Sequence, residues 1–564
     1  MAKKLAITIS GAVSLGSYEA GVLYEIIRTI QHHNGLEQDE SKKIEIDVLV
    51  GASAGGMTAT IAAQKLLFEA SSLVEPYNNS LYRAWVKDVS FDTLFNLQTG
   101  ENSTHSILSS NHVEDISKKH VTDRYASQIP AKKERHLAAA DTIQLGLALT
   151  NLNGVDYIRP LRTGGQFCYT RYQDKLVKGF NASNTADDTL SAWEIVRNAA
   201  VSCGAFPFAF RVKDLIRNYD EYPSDFLPLV PNGSFPTPIR SFSYTDGGTF
   251  ENEPLGMAKS LVNAIDPTHS HHDERFYLFV SPGNRAGTSN SVFSEKQADF
   301  SGAAKAITAS IFNQARFRDW ITAEQINEQI HILDDRATGL SQAIIAGQIN
   351  PTQIKDLAFS LLPLLFGQSA TAQNDIQIAQ NRLRTQYQKE YDTLTNKQGK
   401  ETADIWIDAI LVFEKAADLG DKDEMQVFGI TATEEELASS KLSAFLGFFD
   451  QAYRDHDYDV GRTKAREFIK TVHLNNNIDL WFPNHPVNNP AVTFETWMDI
   501  RPINQKLNGL KLEEVPEDLR KKFRDRIADT ADNLLLEMGM SWAVRKGINL
   551  FFIKQTLNKW LNLQ

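Results

Sequence analysis

One stretch narrows the folds open to this chain more than any other. Ile44–Val50 alternates apolar and polar residues and ends in an apolar run. It leads straight into Gly-Ala-Ser-Ala-Gly-Gly and out again into the helix-compatible Thr58–Ala70. A strand that turns through small residues into a helix is the building unit of a parallel α/β sheet. The same order occurs upstream. Leu5–Ser10 reads as a strand and Gly11–Gly16 as a turn. A helix follows from Tyr18 to about Gln31, with Ala20, Leu23, Ile26, Ile27 and Ile30 at helical spacing. Downstream, 144–154 reads as a buried strand, Ala192–Ala200 as a helix, and 275–284 as a further strand with its turn. Residues 71–135 are irregular and polar, with a helix near Val113–Lys119.

After about residue 290 the pattern changes to long helices: Ala304–Leu333, Ala372–Tyr391, Ala403–Ala417 and Leu519–Leu563. The expected organisation is an α/β domain over 1–290 and a mainly helical domain over 291–564. A linker falls at 283–293 and a polar break at 395–401. The chain's 564 residues are ample for two cores. A formal net charge of −12 argues against a nucleic-acid partner, which would call for a basic face. Two cysteines, Cys168 and Cys203, build neither a disulfide framework nor a metal pair. The first residues loosely mimic a signal peptide, but Thr8, Ser10 and Ser14 interrupt the apolar part, and LAITIS reads better as a strand. No run approaches the ~18 apolar residues of a membrane span. The expected location is the cytoplasm.

Three strand-end motifs carry chemistry. Gly51-Ala52-Ser53-Ala54-Gly55 has the G-x-S-x-G frame of a nucleophile elbow, in which a serine sits on a strained turn facing a helix N-terminus. The small residues let strand and helix approach closely. The bland alternative is a tight turn with no chemistry. The Gly11–Gly16 turn has the glycine spacing of a phosphate loop, but Ser17 and Tyr18 stand where the lysine and hydroxyl residue belong. Its backbone N–H groups suit an oxyanion beside Ser53 better, because neighbouring parallel strands bring their C-terminal ends together. Asp246 precedes Gly247-Gly248 at the end of a strand-like stretch, as a base would; a hairpin turn would use the same residues. A Ser–Asp–His triad through His269, His271 or His272 is the histidine alternative, although these residues precede a strand instead of following one.

Taken in order, these motifs resemble those of the patatin-like phospholipases: a glycine-containing turn, GASAG with Ser53, the small-residue helix NAAVSCGAFPFAF (198–210), then DGG with Asp246. The resemblance covers about residues 5–290. It implies a three-layer α/β domain with a parallel sheet, Ser53 as nucleophile, Asp246 as its partner in a Ser–Asp dyad, and an oxyanion hole from the N–H groups of Gly11, Ala12 and Val13. Gly51, Gly55 and Gly247 are the motif glycines. The implied substrate is a phospholipid or other lipid ester, met by peripheral membrane contact, with no metal or organic cofactor. The turn departs from the family, whose loop has three glycines, a variable residue, a basic residue and a glycine. Val13 is costly wherever φ is positive, and Leu15 removes a cation. Either the turn presents its N–H groups in an ordinary L-residue conformation or the hole is degraded. The latter case would make the chain a catalytically weak binder of lipid or of a protein.

Two segments of the helical half are candidates for a membrane surface. LAFSLLPLLFG (357–367) also reads as two helix ends meeting at Pro363. The C-terminal stripe Leu550, Ile553, Leu557, Trp560 and Leu561, with Lys546, Lys554 and Lys559 elsewhere, also reads as a face docked on the α/β domain.

Overall fold

In a computed structural model of the chain, the strands are β1 (Lys3–Ile9), β2 (Ile44–Gly51), β3 (Ala139–Pro160), β4 (Gln166–Asn181), β5 (Lys213–Asn218), β6 (Ile239–Asp246), β7 (Arg275–Ser281) and β8 (Val427–Thr431). The structure describes residues 2–563 except 103, 127–132, 162–164, 208, 223–237, 267–274, 284–293, 295–299, 368–369, 418–424, 441–443, 475–478, 538–539, 543–544, 547–552 and 562. The sheet runs β5-β6-β3-β2-β1-β7-β8, with β4 on the other side of β3. β1, β2 and β3 pair in parallel, as do β7 and β8. β4 and β6 lie antiparallel to β3, and β5 antiparallel to β6. This is the expected α/β fold with a mostly parallel centre, and the antiparallel β4, β5 and β6 make the sheet mixed where a parallel one was expected. β1, β2 and β7 are almost wholly buried, which is why they read as apolar runs.

The principal helices around this sheet are α1 (Gly16–Leu36), α2 (Ala54–Phe68), α3 (Leu190–Cys203) and α4 (Gln451–Thr471). α1 and α4 meet at glycines. A Cβ on Gly21 would lie 2.1 Å from the Tyr458 carbonyl oxygen, and one on Gly461 would lie 2.2 Å from that of Tyr18. Glu25 crosses the contact to Arg462 and Arg466 at 2.9 and 2.8 Å.

The expected division at residue 290 is not how the contacts divide the chain. One unit comprises 1–261, 276–317 and 427–564, the other 262–275 and 318–426. Residues 427–564 belong with the first unit because β8 extends its sheet and α4 covers α1. The second unit is helical. Its core gathers Trp406, Ile407 and Ile410 with Leu383, Tyr387 and Leu394. The periodic stretch 372–391 is two helices, Ala370–Gln386 and Gln388–Gln398, and Gly399, with φ +90°, parts the latter from Lys400–Ala416.

Two helical expectations need correction. Pro351–Phe366 is one helix that runs through Pro363, not two ends meeting there. The stretch 519–563 is not one helix: Glu517–Glu537 ends before Met540 and Ser541, and Lys554–Trp560 is separate. Leu561 and Leu563 turn into an apolar cluster with Phe91, Phe449 and Phe523, so burial selects these positions without a continuous helix. Leu550 lies outside the described residues. No helix among the described residues is long and apolar enough to cross a membrane.

Candidate active site

The site forms where the sheet's hydrogen bonding changes hands. β3 pairs with β2 up to Leu147–Gly51 and runs on past it. Residues 149–151 of this overhang pair instead with β6, ending at Leu149–Asp246. β4 occupies the opposite edge of β3 along both stretches, so β2 and β6 share one edge. Their C-terminal ends therefore meet nearly head to head. The DGG stretch is thus a strand end followed by a short 3₁₀ turn at Gly247–Thr249, and no hairpin.

Ser53 caps the N-terminus of α2 with φ +50° and ψ −125°, a strained conformation for a non-glycine residue. Room for the bend comes from two glycines. A Cβ on Gly51 would lie 2.4 Å from the backbone of Gly55, and one on Gly55 would lie 2.4 Å from the carbonyl oxygens of Ile9 and Ser10. The Ser53 hydroxyl donates to Asp246 Oδ2 at 2.5 Å. Asp246 is fully buried, and its Oδ1 accepts the Gly248 N–H at 2.7 Å. Burial raises its carboxyl to about 7, against the two hydrogen bonds that favour the ion. Among the described residues no cation pairs with it. The nearby Cys203 is buried beneath the elbow, and burial, reinforced by the Asp246 charge, pushes its thiol well up and keeps it neutral.

The turn after β1 lies beside the elbow, because Ile9 pairs with Gly51. Its N–H groups are not all available. That of Gly11 donates to the Asn252 carbonyl at 3.0 Å, which corrects the expectation that Gly11 serves an oxyanion. Among the described residues, the N–H groups of Ala12 and Val13 have no acceptor. Val13 has φ +52°, so the turn does not keep an ordinary L-residue conformation. It adopts the left-handed one that glycine would take freely.

Ser53 opens onto a cleft. Its walls are mostly apolar: Met57 and Ile61 of α2, Trp85, Val89, Leu94, Ile116 and Val121, then Phe206, Phe210 and Phe448. Among its few polar groups, Arg197 donates to the Ser117 hydroxyl oxygen at 3.0 Å. Sequence reasoning missed most of these residues. Trp85, Val89, Leu94 and Val121 sit in the stretch read as irregular and polar, Ile116 in the helix read near Val113–Lys119, and their signal was isolated apolar residues recurring in polar surroundings. Phe448 is remote in sequence and gave no signal. His269, His271 and His272 lie outside the described residues. Among the described residues no group of three or more His, Cys, Asp or Glu gathers as a metal site.

Comparison with known proteins bears on this unit. Uncharacterized protein y4iI of Sinorhizobium fredii (strain NBRC 101917 / NGR234) is 24% identical over 350 residues, 50% of this chain and 49% of that protein. The match thus spans about half the length of that curated relative. The crystal structure of VipD from Legionella pneumophila matches at 12% identity over 74% of this chain and 92% of that one. Its TM-score of 0.23 is too low to carry an argument. Residues 7–259 match the patatin-like phospholipase family. That span begins inside β1 and ends in the helix after the DGG turn, so it takes in both turns and the aspartate; this segment of the chain is a patatin-like phospholipase domain.

Proposed function

We propose that this chain hydrolyses carboxylic esters of lipids, phospholipids among them, with Ser53 as nucleophile and Asp246 as its base. The observation that carries this reading is the 2.5 Å hydrogen bond from Ser53 to Asp246 at an apolar cleft. The acyl chain lies in the cleft. Asp246 takes the hydroxyl proton as Ser53 Oγ attacks the ester carbonyl carbon, and a carboxyl near 7 is a far better base than an exposed one near ~3.9. The N–H groups of Ala12 and Val13, with the N-terminus of α2, stabilise the oxyanion. Asp246 then passes the proton to the departing alcohol oxygen, leaving the acyl group on Ser53. Water attacks in turn, gives a proton to Asp246, and the fatty acid leaves as Ser53 regains it. No step draws on a metal or organic cofactor.

Peripheral contact with a membrane belongs to the same proposal. Leu357, Phe359 and Leu364 of the helix Pro351–Phe366 are more than half exposed and supply an apolar surface for it. The second reading, a weak enzyme that binds lipid, draws on the Gly11 N–H being spent on Asn252. A fluorophosphonate probe with liposome flotation separates the two. The enzyme reading expects labelling of the wild type and none of Ser53→Ala. Flotation of a chain that takes no label favours the binder.

A further inference from the structure

Val13 raises a physical question that the matched domain does not answer. A β-branched residue at φ +52° needs something outside its own turn to hold it. Among the described residues only Val13, Ser53 and Ala444 are non-glycines at positive φ. Ala444 lies far beyond the span 7–259, yet its carbonyl accepts the N–H of Ser14, the residue next to Val13.

We propose that Ser14 is a positioning residue, and that the segment Ala444–Phe449 holds the turn through it, so that Ala12 and Val13 present their N–H groups to the oxyanion. This rests on the reading of Ser53 as nucleophile. Every polar group of Ser14 that points outward is committed to that segment. Its N–H donates to the Ala444 carbonyl at 3.2 Å, its hydroxyl donates to the same carbonyl, and its Oγ accepts the Gly447 N–H at 3.2 Å. The approach is close enough to require glycine: a Cβ on Gly447 would lie 2.5 Å from Ser14 Oγ. With Ser14 pinned on one side and the Gly11 N–H held by Asn252 on the other, Val13 has no slack in which to relax.

The segment is itself anchored. Arg454 of α4 donates to the carbonyls of Gly447 at 2.7 Å, Val86 at 3.1 Å and Val89 at 2.5 Å. Val89 and Phe448 line the cleft, and Phe445 packs edge-on against Phe206, another lining residue, at 5.4 Å. One set of contacts thus sets both the turn and a wall of the cleft. Residues far outside the matched domain supply what a glycine at position 13 would otherwise provide from within.

The test uses the full chain, a short-chain p-nitrophenyl ester and a fluorophosphonate whose phosphoryl oxygen occupies the oxyanion position. Ser14→Ala and Gly447→Ala are each expected to lower kcat about 10- to 100-fold, less than loss of an oxyanion donor outright, with KM within about twofold. Phosphonylation slows in parallel. Adding Val13→Gly to Ser14→Ala is expected to restore at least about threefold of the lost kcat, because glycine adopts positive φ unaided; simple structural damage would not recover this way. Should Ser14→Ala fail to fold, Gly447→Ala, which presses on the same hydroxyl, carries the test. If kcat stays within about threefold of wild type in both single variants while the wild type labels at Ser53, the positioning role is wrong and the catalytic reading stands. A wild type that takes no label at Ser53 removes the catalytic reading and the positioning role together.

Discussion

The two strand-to-helix turns of this site make a controlled comparison. They follow adjacent parallel strands, each leads into a helix, and each carries one non-glycine residue near φ +50°. They differ in what maintains the strain. At Ser53 the device is local: Gly51 leaves room for strand and helix to touch, Gly55 leaves room for the carbonyls of Ile9 and Ser10, and the glycines that permit the bend lie within five residues. At Val13 the neighbours are Ala12 and Ser14, and the restraint comes from Ala444 and Gly447, hundreds of residues away. A strained turn can be specified by its own glycines or by distant packing, and only the first leaves a mark on the nearby sequence.

The largest effect expected at the self-contained turn is chemical. Ser53→Ala and Asp246→Asn should each reduce kcat by at least about 10³-fold, and combining them should cost little more than either alone, since the two groups act as a unit. Ester turnover measured for the three variants checks this. Additive losses would separate Asp246 from the chemistry of the elbow.

Next in size is the pH dependence. Asp246 must be ionised to accept a proton, so kcat/KM should rise with pH and level off above about 7. Stability runs the other way. The folded carboxyl titrates near 7 and the unfolded one near ~3.9. Between these values the folded state holds a proton that the unfolded state has lost. The stabilising contribution is therefore complete below about pH 4 and is lost as pH rises to about 7, by an amount on the order of 4 kcal/mol. Asp457 is also buried and also raised to about 7, and burial raises the Glu19 carboxyl well above its ordinary value, so Asp246 carries one share among several. Asp246→Asn should remove that share of the decline and leave the rest. Denaturation midpoints at pH 5 and 7.5 measure it, and an unchanged pH slope in Asp246→Asn would mean the carboxyl is not strongly desolvated.

The glycines come third. Gly55→Ala would push a methyl group into the carbonyls of Ile9 and Ser10, with backbone on both sides and no flexible side chain to move. The expected destabilisation is about 1–3 kcal/mol, read from the thermal or denaturant midpoint.

What the sequence disclosed follows the same division. The strands β1, β2 and β7, the first half of β3, the end of β6, the elbow and Asp246 were legible because each is written in a few consecutive residues: an apolar run, a pair of glycines, an acid at a strand end; β4 and β5 gave no such run. The overhang of β3 that brings Asp246 to Ser53 was not legible, since a change of pairing partner within one long strand has no local pattern. The use of the Gly11 N–H by Asn252 was equally hidden. So was the return of residues 427–564 to the first unit, because β8 is only five residues long and sits among helices. The apolar lining between Trp85 and Val121 is spread over short helices whose polar faces dominate the composition.

The smallest expected effect probes the externally held turn most directly. Ala444 is buried at φ +65°, where an L-residue is disfavoured by roughly 1–2 kcal/mol. Ala444→Gly removes that strain and a methyl group, and it adds conformational freedom to the unfolded chain, which opposes part of the gain. The balance should be a stabilisation of about 0.5–1 kcal/mol. If Ala444 is strained only because it grips Ser14, Ser14→Ala should let it relax, and the gain from glycine should shrink in that background. The two changes would then be non-additive, as contacting residues are. A double-mutant cycle on denaturant midpoints reads the coupling. Strict additivity would mean that the strain at Ala444 is set by its own segment and that the resemblance between the two turns stops at their dihedral angles.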